Sequence, residues 1–181
     1  MEYKILITGT MGAGKTTAIG QVSEIPPVLT DVANTRRDQS DKATTTAAFD
    51  YGEVDIGEGD TLRLYGTPGQ QRFSFMWEVL ARGALGVIYL MDCSREEPLA
   101  DLSGFIEALG QTARQLPSVV ALNKLAAEDE VRLAEAFQDY LELDGLDWPV
   151  VPADVRDRDQ VLDAFELLLS MSETSAVENT G

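Results

Sequence analysis

Histidine is missing altogether from the 181 residues, which excludes imidazole acid–base catalysis and histidine-ligated zinc. Cysteine occurs once, as Cys93, so no intrachain disulfide can form and a reducing compartment is expected. Basic residues are scarce: 14 Lys and Arg stand against 31 Asp and Glu, for a net charge of −17. So acidic a surface repels phosphate backbones and anionic lipid, so nucleic acid is not expected as a primary partner. It suits either a protein partner with a basic or neutral face, or simple solubility. Long apolar runs are lacking too, none approaching the ~18 residues of a membrane-spanning helix. Met1-Glu2-Tyr3-Lys4 reads as the start of a strand rather than a secretory leader. Residue 2 is not Gly and the C-terminus carries no Cys, so lipid-anchor motifs are missing. The expected location is the cytoplasm, with no integral membrane segment. What remains is 44% apolar, enough for one domain with a full core.

The most specific pattern present is Gly9-Thr10-Met11-Gly12-Ala13-Gly14-Lys15-Thr16, a match to G-x-x-x-x-G-K-[ST], the phosphate-binding P-loop. It follows an apolar strand pattern, Tyr3 to Thr8, and opens into a helical stretch, Thr16 to Ser23, stopped by Pro26 and Pro27. A strand–loop–helix of this kind aims backbone N–H groups and a positive helix end at one point, where polyphosphate can sit. Gly9, Gly12, Ala13 and Gly14 would wrap the phosphates, with Thr17 beside them. Lys15 would reach the β and γ phosphates, and the Thr16 hydroxyl would ligate Mg²⁺.

Apolar runs and helical periodicity then alternate along the chain. Pro26 to about Thr45 is polar and irregular and reads as a long loop of the kind that is functional or mobile. Thr46–Ile56 and Thr61–Tyr65 read as strands, and so short a link as Gly57-Glu58-Gly59-Asp60 makes them a hairpin. Phe73–Arg82 reads as a helix whose Phe73, Phe75, Met76 and Trp77 either pack inward or form a docking patch. Leu85–Met91 lacks alternation, as a central parallel strand does. A helix from Pro98, a strand at Ser118–Leu122 and a helix around Val131–Leu141 follow. Trp148–Ala153 is the last strand, placed at a sheet edge by Pro149 and Pro152. A closing helix opens with Asp157-x-x-Gln160 in capping-box style. The order is β-α-β-β-α-β-α-β-α-β-α. It predicts an α/β, three-layer P-loop NTPase fold: a mostly parallel six-stranded sheet, one strand antiparallel, helices on both faces. The domain would span 1–171, with 172–181 a polar, frayed tail.

Gly66-Thr67-Pro68-Gly69-Gln70-Gln71-Arg72-Phe73 narrows the class. Here the chain resembles the small Ras-like GTPases, whose second switch reads D-x-x-G-Q after the third strand. Tyr65 to Trp77 is closest to a bacterial branch, the gliding-motility and actinobacterial conservon-encoded small GTPases. Val22-Ser23-Glu24-Ile25-Pro26 and Lys42 to Thr46 before Asp50-Tyr51-Gly52 point the same way, and the resemblance covers roughly residues 3 to 153. It implies GTP and GDP as ligands, Mg²⁺ as cofactor, slow hydrolysis, and roadblock-type proteins as partners. Gly69 would hydrogen-bond the γ-phosphate, Gln70 would orient the attacking water, and Thr46 would close over Mg²⁺ as the first-switch threonine, with Thr45 as fallback. Arg36 and Arg37 would be an internal arginine finger or a solvated pair.

Two positions depart from the family pattern. The switch-two Asp that holds Mg²⁺ through water is Gly66, which leaves the metal to Thr16 and the phosphates. The base-reading N-K-x-D is Asn123-Lys124-Leu125-Ala126, so the carboxylate that selects guanine is missing unless Glu128 or Asp129 reaches in. Asn123 would touch the purine edge, the Lys124 stem would lie along the ring, and Ala153 would offer a backbone contact. Asp92, at the end of an apolar strand, fits either a Walker B acid of a kinase or ATPase, or a structural cap. A binding module that does not hydrolyse nucleotide is the third reading.

Overall fold

The computed structural model describes residues 1–33 and 46–178. β1 (Glu2–Thr8) lies at the centre and runs through the P-loop into α1 (Lys15–Val22). β2 (Val28–Ala33), β3 (Thr46–Gly57) and β4 (Asp60–Gly66) follow, then a single 3-10 turn (Gln71–Phe73) and α2 (Ser74–Ala81). β5 (Gly86–Asp92), α3 (Pro98–Leu109), α4 (Gln111–Gln115), β6 (Ser118–Asn123), α5 (Glu130–Leu143), β7 (Val150–Pro152) and α6 (Arg158–Glu178) complete the chain. Strand order is β2-β3-β4-β1-β5-β6-β7, and β3 alone runs antiparallel to both its neighbours. The α/β architecture with one reversed strand and helices on both faces is the one expected.

Beyond the six strands expected there is a further one, β2, in the stretch read as loop. Val28, Thr30 and Val32 suit a strand, but Pro26-Pro27 just before it and Asp31 within it read as loop; it is an edge strand, held by its antiparallel register with β3 from Val28↔Tyr51 to Ala33↔Thr46. The β3–β4 hairpin turns on Glu58 (φ 56°) and Gly59 (φ 82°), the doubly left-handed pair of a type I′ turn. β7 ends the other edge, where Pro152 need give no N–H to a further strand. Pro98 occupies the first turn of α3, and the Asp157 carboxylate accepts from the Asp159 N–H at 3.0 Å at the start of α6. α6 runs through Glu178, into the stretch read as a tail.

Side chains alternate across the sheet and feed two cores. Leu6, Val87, Tyr89 and Met91 face α2, α3 and α5, packing with Trp77, Phe105, Phe137 and Leu141. Ile5, Ile7, Ile88 and Leu90 face α1 and α6, packing with Ile19, Val22, Phe165 and Leu168. Burying a side chain of this size stabilises the fold by roughly 1.5–3 kcal/mol each, which fixes the strand ends that carry the site. Of the four bulky residues near α2, Phe73, Met76 and Trp77 are buried and only Phe75 is exposed. Half-buried Cys93 packs against the first core, and burial, helped by Asp92, pushes its thiol up to about 11, which favours the protonated thiol at neutral pH. No helix among the described residues is long and apolar enough to cross a membrane.

Candidate nucleotide-binding site

β1, β4, β5 and β6 all end at one edge of the sheet, and the loops leaving them meet there. The P-loop leaves β1, and Gly14, in the left-handed region at φ 105°, is the residue that turns it into α1. Lys15 is only 7% exposed, folded back to donate to the carbonyls of Gly9 (2.7 Å) and Thr10 (2.8 Å). Burial lowers its pKa to about 8, against the opposing pull of the Asp50 charge. Thr16 Oγ1 donates to Asp50 Oδ2 at 2.7 Å. Asp50 is buried near the site end of β3, directly opposite Gly66.

The second loop comes off β4. Thr67 bonds back to β1, N–H to the Ile7 carbonyl at 2.9 Å and hydroxyl to Thr8 at 3.0 Å, and the Trp77 indole donates to the Pro68 carbonyl at 2.8 Å. These tethers press Gly69 onto the P-loop: a Cβ there would lie 2.4 Å from the Met11 nitrogen, so only glycine fits. Gln70 is exposed above the same crest, its amide reaching Met11 Sδ at 3.7 Å. Thr46 opens β3 opposite Ala33, with its side chain outside the description, and Arg36, Arg37 and Thr45 lie outside the described residues.

The third set comes from the ends of β6 and β7. Asn123 donates to the Ala13 carbonyl (2.8 Å) and accepts from the Val155 N–H (3.3 Å), tying P-loop to β7 loop. Lys124, left-handed at φ 55°, donates to Gly12 O (2.8 Å) and Asp92 Oδ2 (2.7 Å). Asp92 also accepts from the Ser94 hydroxyl (2.5 Å) and N–H (3.1 Å). Burial alone would raise Asp92, but the Lys124 and Ser94 hydrogen bonds outweigh it and hold the carboxyl below its usual range. With its oxygens so engaged, Asp92 serves as a clamp between β5, β6 and the P-loop. Ala153 is buried, its N–H given to the Leu122 carbonyl at 2.9 Å, so its carbonyl rather than its amide is left for a ligand.

Two cavities meet at Gly12, Gly14 and Thr17. One, of about 330 Å³, is lined by Lys15, Thr16, Asp50, Thr67 and Gly69 and suits a chain of phosphates. The other, of about 630 Å³, is lined by Asn123, Lys124, Ala153, Glu130 and Gln160 and suits a base and ribose. Ala126 puts no side chain into it. Asp129 is turned to Arg132 (2.6 Å) and Glu128 is exposed; the acids that line the base cavity are Glu130, which sequence reasoning missed, and Asp154, which is paired with Arg156 at 2.6 Å. Among the described residues no three His, Cys, Asp or Glu cluster as a metal cage. A metal here would draw on hydroxyl, phosphate and water oxygens, the donor set that suits Mg²⁺, and Thr16 is placed to offer one of them.

Fold and site together define a P-loop nucleotide-binding protein of Ras-like build. The chain belongs to the family described as conserved hypothetical ATP binding protein, whose model matches residues 7–181. It is also homologous to small GTPases. Human ADP-ribosylation factor-related protein 1 is 32% identical over 135 residues, covering 70% of this chain and 61% of that protein. The Ras-related protein Rab-7a of Paramecium octaurelia is 29% identical over 144 residues, 75% of this chain and 65% of the relative. The uncharacterized protein MJ1339 of Methanocaldococcus jannaschii matches at 28% over 94 residues, 52% of this chain and 53% of the relative. The chain thus spans under two thirds of the length of these curated relatives.

Proposed function

We propose that this protein is a guanine-nucleotide switch that hydrolyses GTP slowly with Mg²⁺, in the cytoplasm. The observation that carries the reading is the contact of Gly69 with the P-loop at Met11, with Gln70 directly above it. In that arrangement a terminal phosphate seated beside Lys15 would meet the Gly69 N–H, and the second loop would order or relax with its presence. Gln70 would orient the attacking water. The string Tyr65 to Trp77 supports membership of the gliding-motility and conservon branch, and with it a roadblock-type protein partner.

The engagement of Asp92 by Lys124 and Ser94 weighs against its use as a kinase or ATPase metal acid. Ala126 favours one second reading, a relaxed choice between GTP and ATP, which accords with the matched family's description. Calorimetry with GTP, GDP and ATP, with Mg²⁺ or EDTA, tests binding and base choice together. Gln70→Leu should bind GTP as the wild type does and hydrolyse it several-fold more slowly; unchanged turnover would remove Gln70 from its role.

A further inference from the structure

The structure assigns to Asp50 the metal-anchoring duty that the family pattern gives to the residue at position 66. This deepens the nucleotide-switch reading and rests on it. Three observations carry it. In the antiparallel register of β3 and β4, Asp50 stands directly opposite Gly66. A Cβ built on Gly66 would lie 3.0 Å from Asp50 Cβ and 3.2 Å from Asp50 Oδ2, so the carboxylate occupies the space a side chain at 66 would need. And Oδ2 accepts from Thr16 Oγ1 at 2.7 Å, from the hydroxyl expected to ligate Mg²⁺, while Asp50 lines the phosphate cavity.

The chemistry is that of a relocated carboxylate. A buried anion needs a counter-charge or several hydrogen bonds. Among the described residues the Thr16 hydroxyl is the only side chain that donates to Asp50, and Lys15 spends its hydrogen bonds on Gly9 and Thr10. Asp50 is therefore a hard oxygen anion beside the metal-ligating hydroxyl with acceptor capacity to spare. That capacity suits a Mg²⁺-bound water, as the missing switch-two Asp would. The same geometry disfavours both acids at once: a side chain at 66 would crowd Asp50 and bring two carboxylates together, so the pair Asp50–Gly66 is one solution and its exchange another.

The test compares nucleotide affinity with and without metal. GDP is titrated calorimetrically into wild type, Asp50→Ala, Asp50→Asn and the exchange variant Asp50→Gly with Gly66→Asp, each in Mg²⁺ and in EDTA. The readout is the ratio of the two affinities. Mn²⁺ titrated into each protein–GDP complex and followed by electron paramagnetic resonance reports the metal directly. Asp50→Asn retains an acceptor for Thr16 but has no charge, so a merely structural role would survive it. The expected result is a metal-dependent gain at least tenfold smaller in Asp50→Ala and Asp50→Asn, weaker Mn²⁺ binding in both, and recovery in the exchange variant. A full gain in Asp50→Asn and Asp50→Ala overturns the assignment while leaving the switch reading intact. A wild type that binds no nucleotide under either condition overturns both.

Discussion

Lys15 makes a prediction in which the sign and size both come from the site. Folded into the P-loop, it is 7% exposed and bonded to two carbonyls, which carry no full charge to offset its own. Burial brings its pKa from 10.5 to about 8, with Asp50 pulling the other way. At about 1.36 kcal/mol per unit, the ligand-free protein disfavours the ammonium by roughly 3 kcal/mol relative to water. Nucleotide phosphates beside Lys15 would reverse that preference, so binding near pH 8 must take up a proton. About half a proton per GDP is expected near pH 8, close to none a unit or more below it and nearly one above it. Calorimetric titrations in two buffers of different ionisation enthalpy measure the uptake. Lys15→Arg, protonated at every accessible pH, should abolish the buffer dependence. The folded pKa lies below the unfolded one, so between about 8 and 10.5 the unfolded chain binds more protons. Ligand-free wild type should therefore gain stability relative to Lys15→Met as pH rises through that window. Identical heats in both buffers near pH 8, with affinity flat above it, would refute the buried-ammonium argument.

Further perturbations test the rest of the site. Ala126→Asp returns a carboxylate to the loop that follows β6, and charge-assisted hydrogen bonds of ~1.5–3 kcal/mol should shift the GTP-to-ATP affinity ratio roughly 10- to 100-fold toward GTP. An unchanged ratio in a competition assay would mean the base is not read there. Trp77→Phe leaves the Pro68 carbonyl without its indole donor at 2.8 Å in a buried setting. That should cost about 1–3 kcal/mol in denaturant unfolding. It should also loosen the second loop, seen as faster amide exchange at Gly69 and Gln70. Loss of stability below about 0.5 kcal/mol with unaltered exchange would strip Trp77 of its tethering role.

What could be read from the sequence was what is contiguous in it. The P-loop, the G-Q after β4 and the Pro-led start of α3 each place their physical partners within a few residues, so the pattern and the structure coincide; at α6 the Asp157 carboxylate does cap, through the Asp159 N–H, while Gln160 accepts from the Asp154 N–H rather than closing a capping box. β2 was unreadable because Pro26-Pro27 before it and Thr30-Asp31 within it look like loop, and pairing with β3 is what makes Val28–Ala33 a strand. Asp50 was hidden for the same reason. Nothing local marks an acid near the start of a hairpin as a site residue, and counting back from Gly57 and Asp60 sets Tyr51 opposite Gly66; the register shift between Asp55 and Gly57 is what brings Asp50 there instead.

The two departures from the family pattern, alike in sequence, therefore have different physical fates. The vacancy at Gly66 lies between two strands in fixed register, where a neighbour's side chain can fill it, and Asp50 does. The one at Ala126 lies on an exposed turn closed by the Asp129 N–H on the Ala126 carbonyl at 2.9 Å. Among the described residues no strand pairs with it, and Asp129 is held off by Arg132. Compensation across a sheet is cheap because register places the substitute; compensation across a solvated turn must order a flexible side chain at a cost of up to about 2 kcal/mol. The phosphate and metal end of this site should accordingly be the more selective one, and the base end the more permissive.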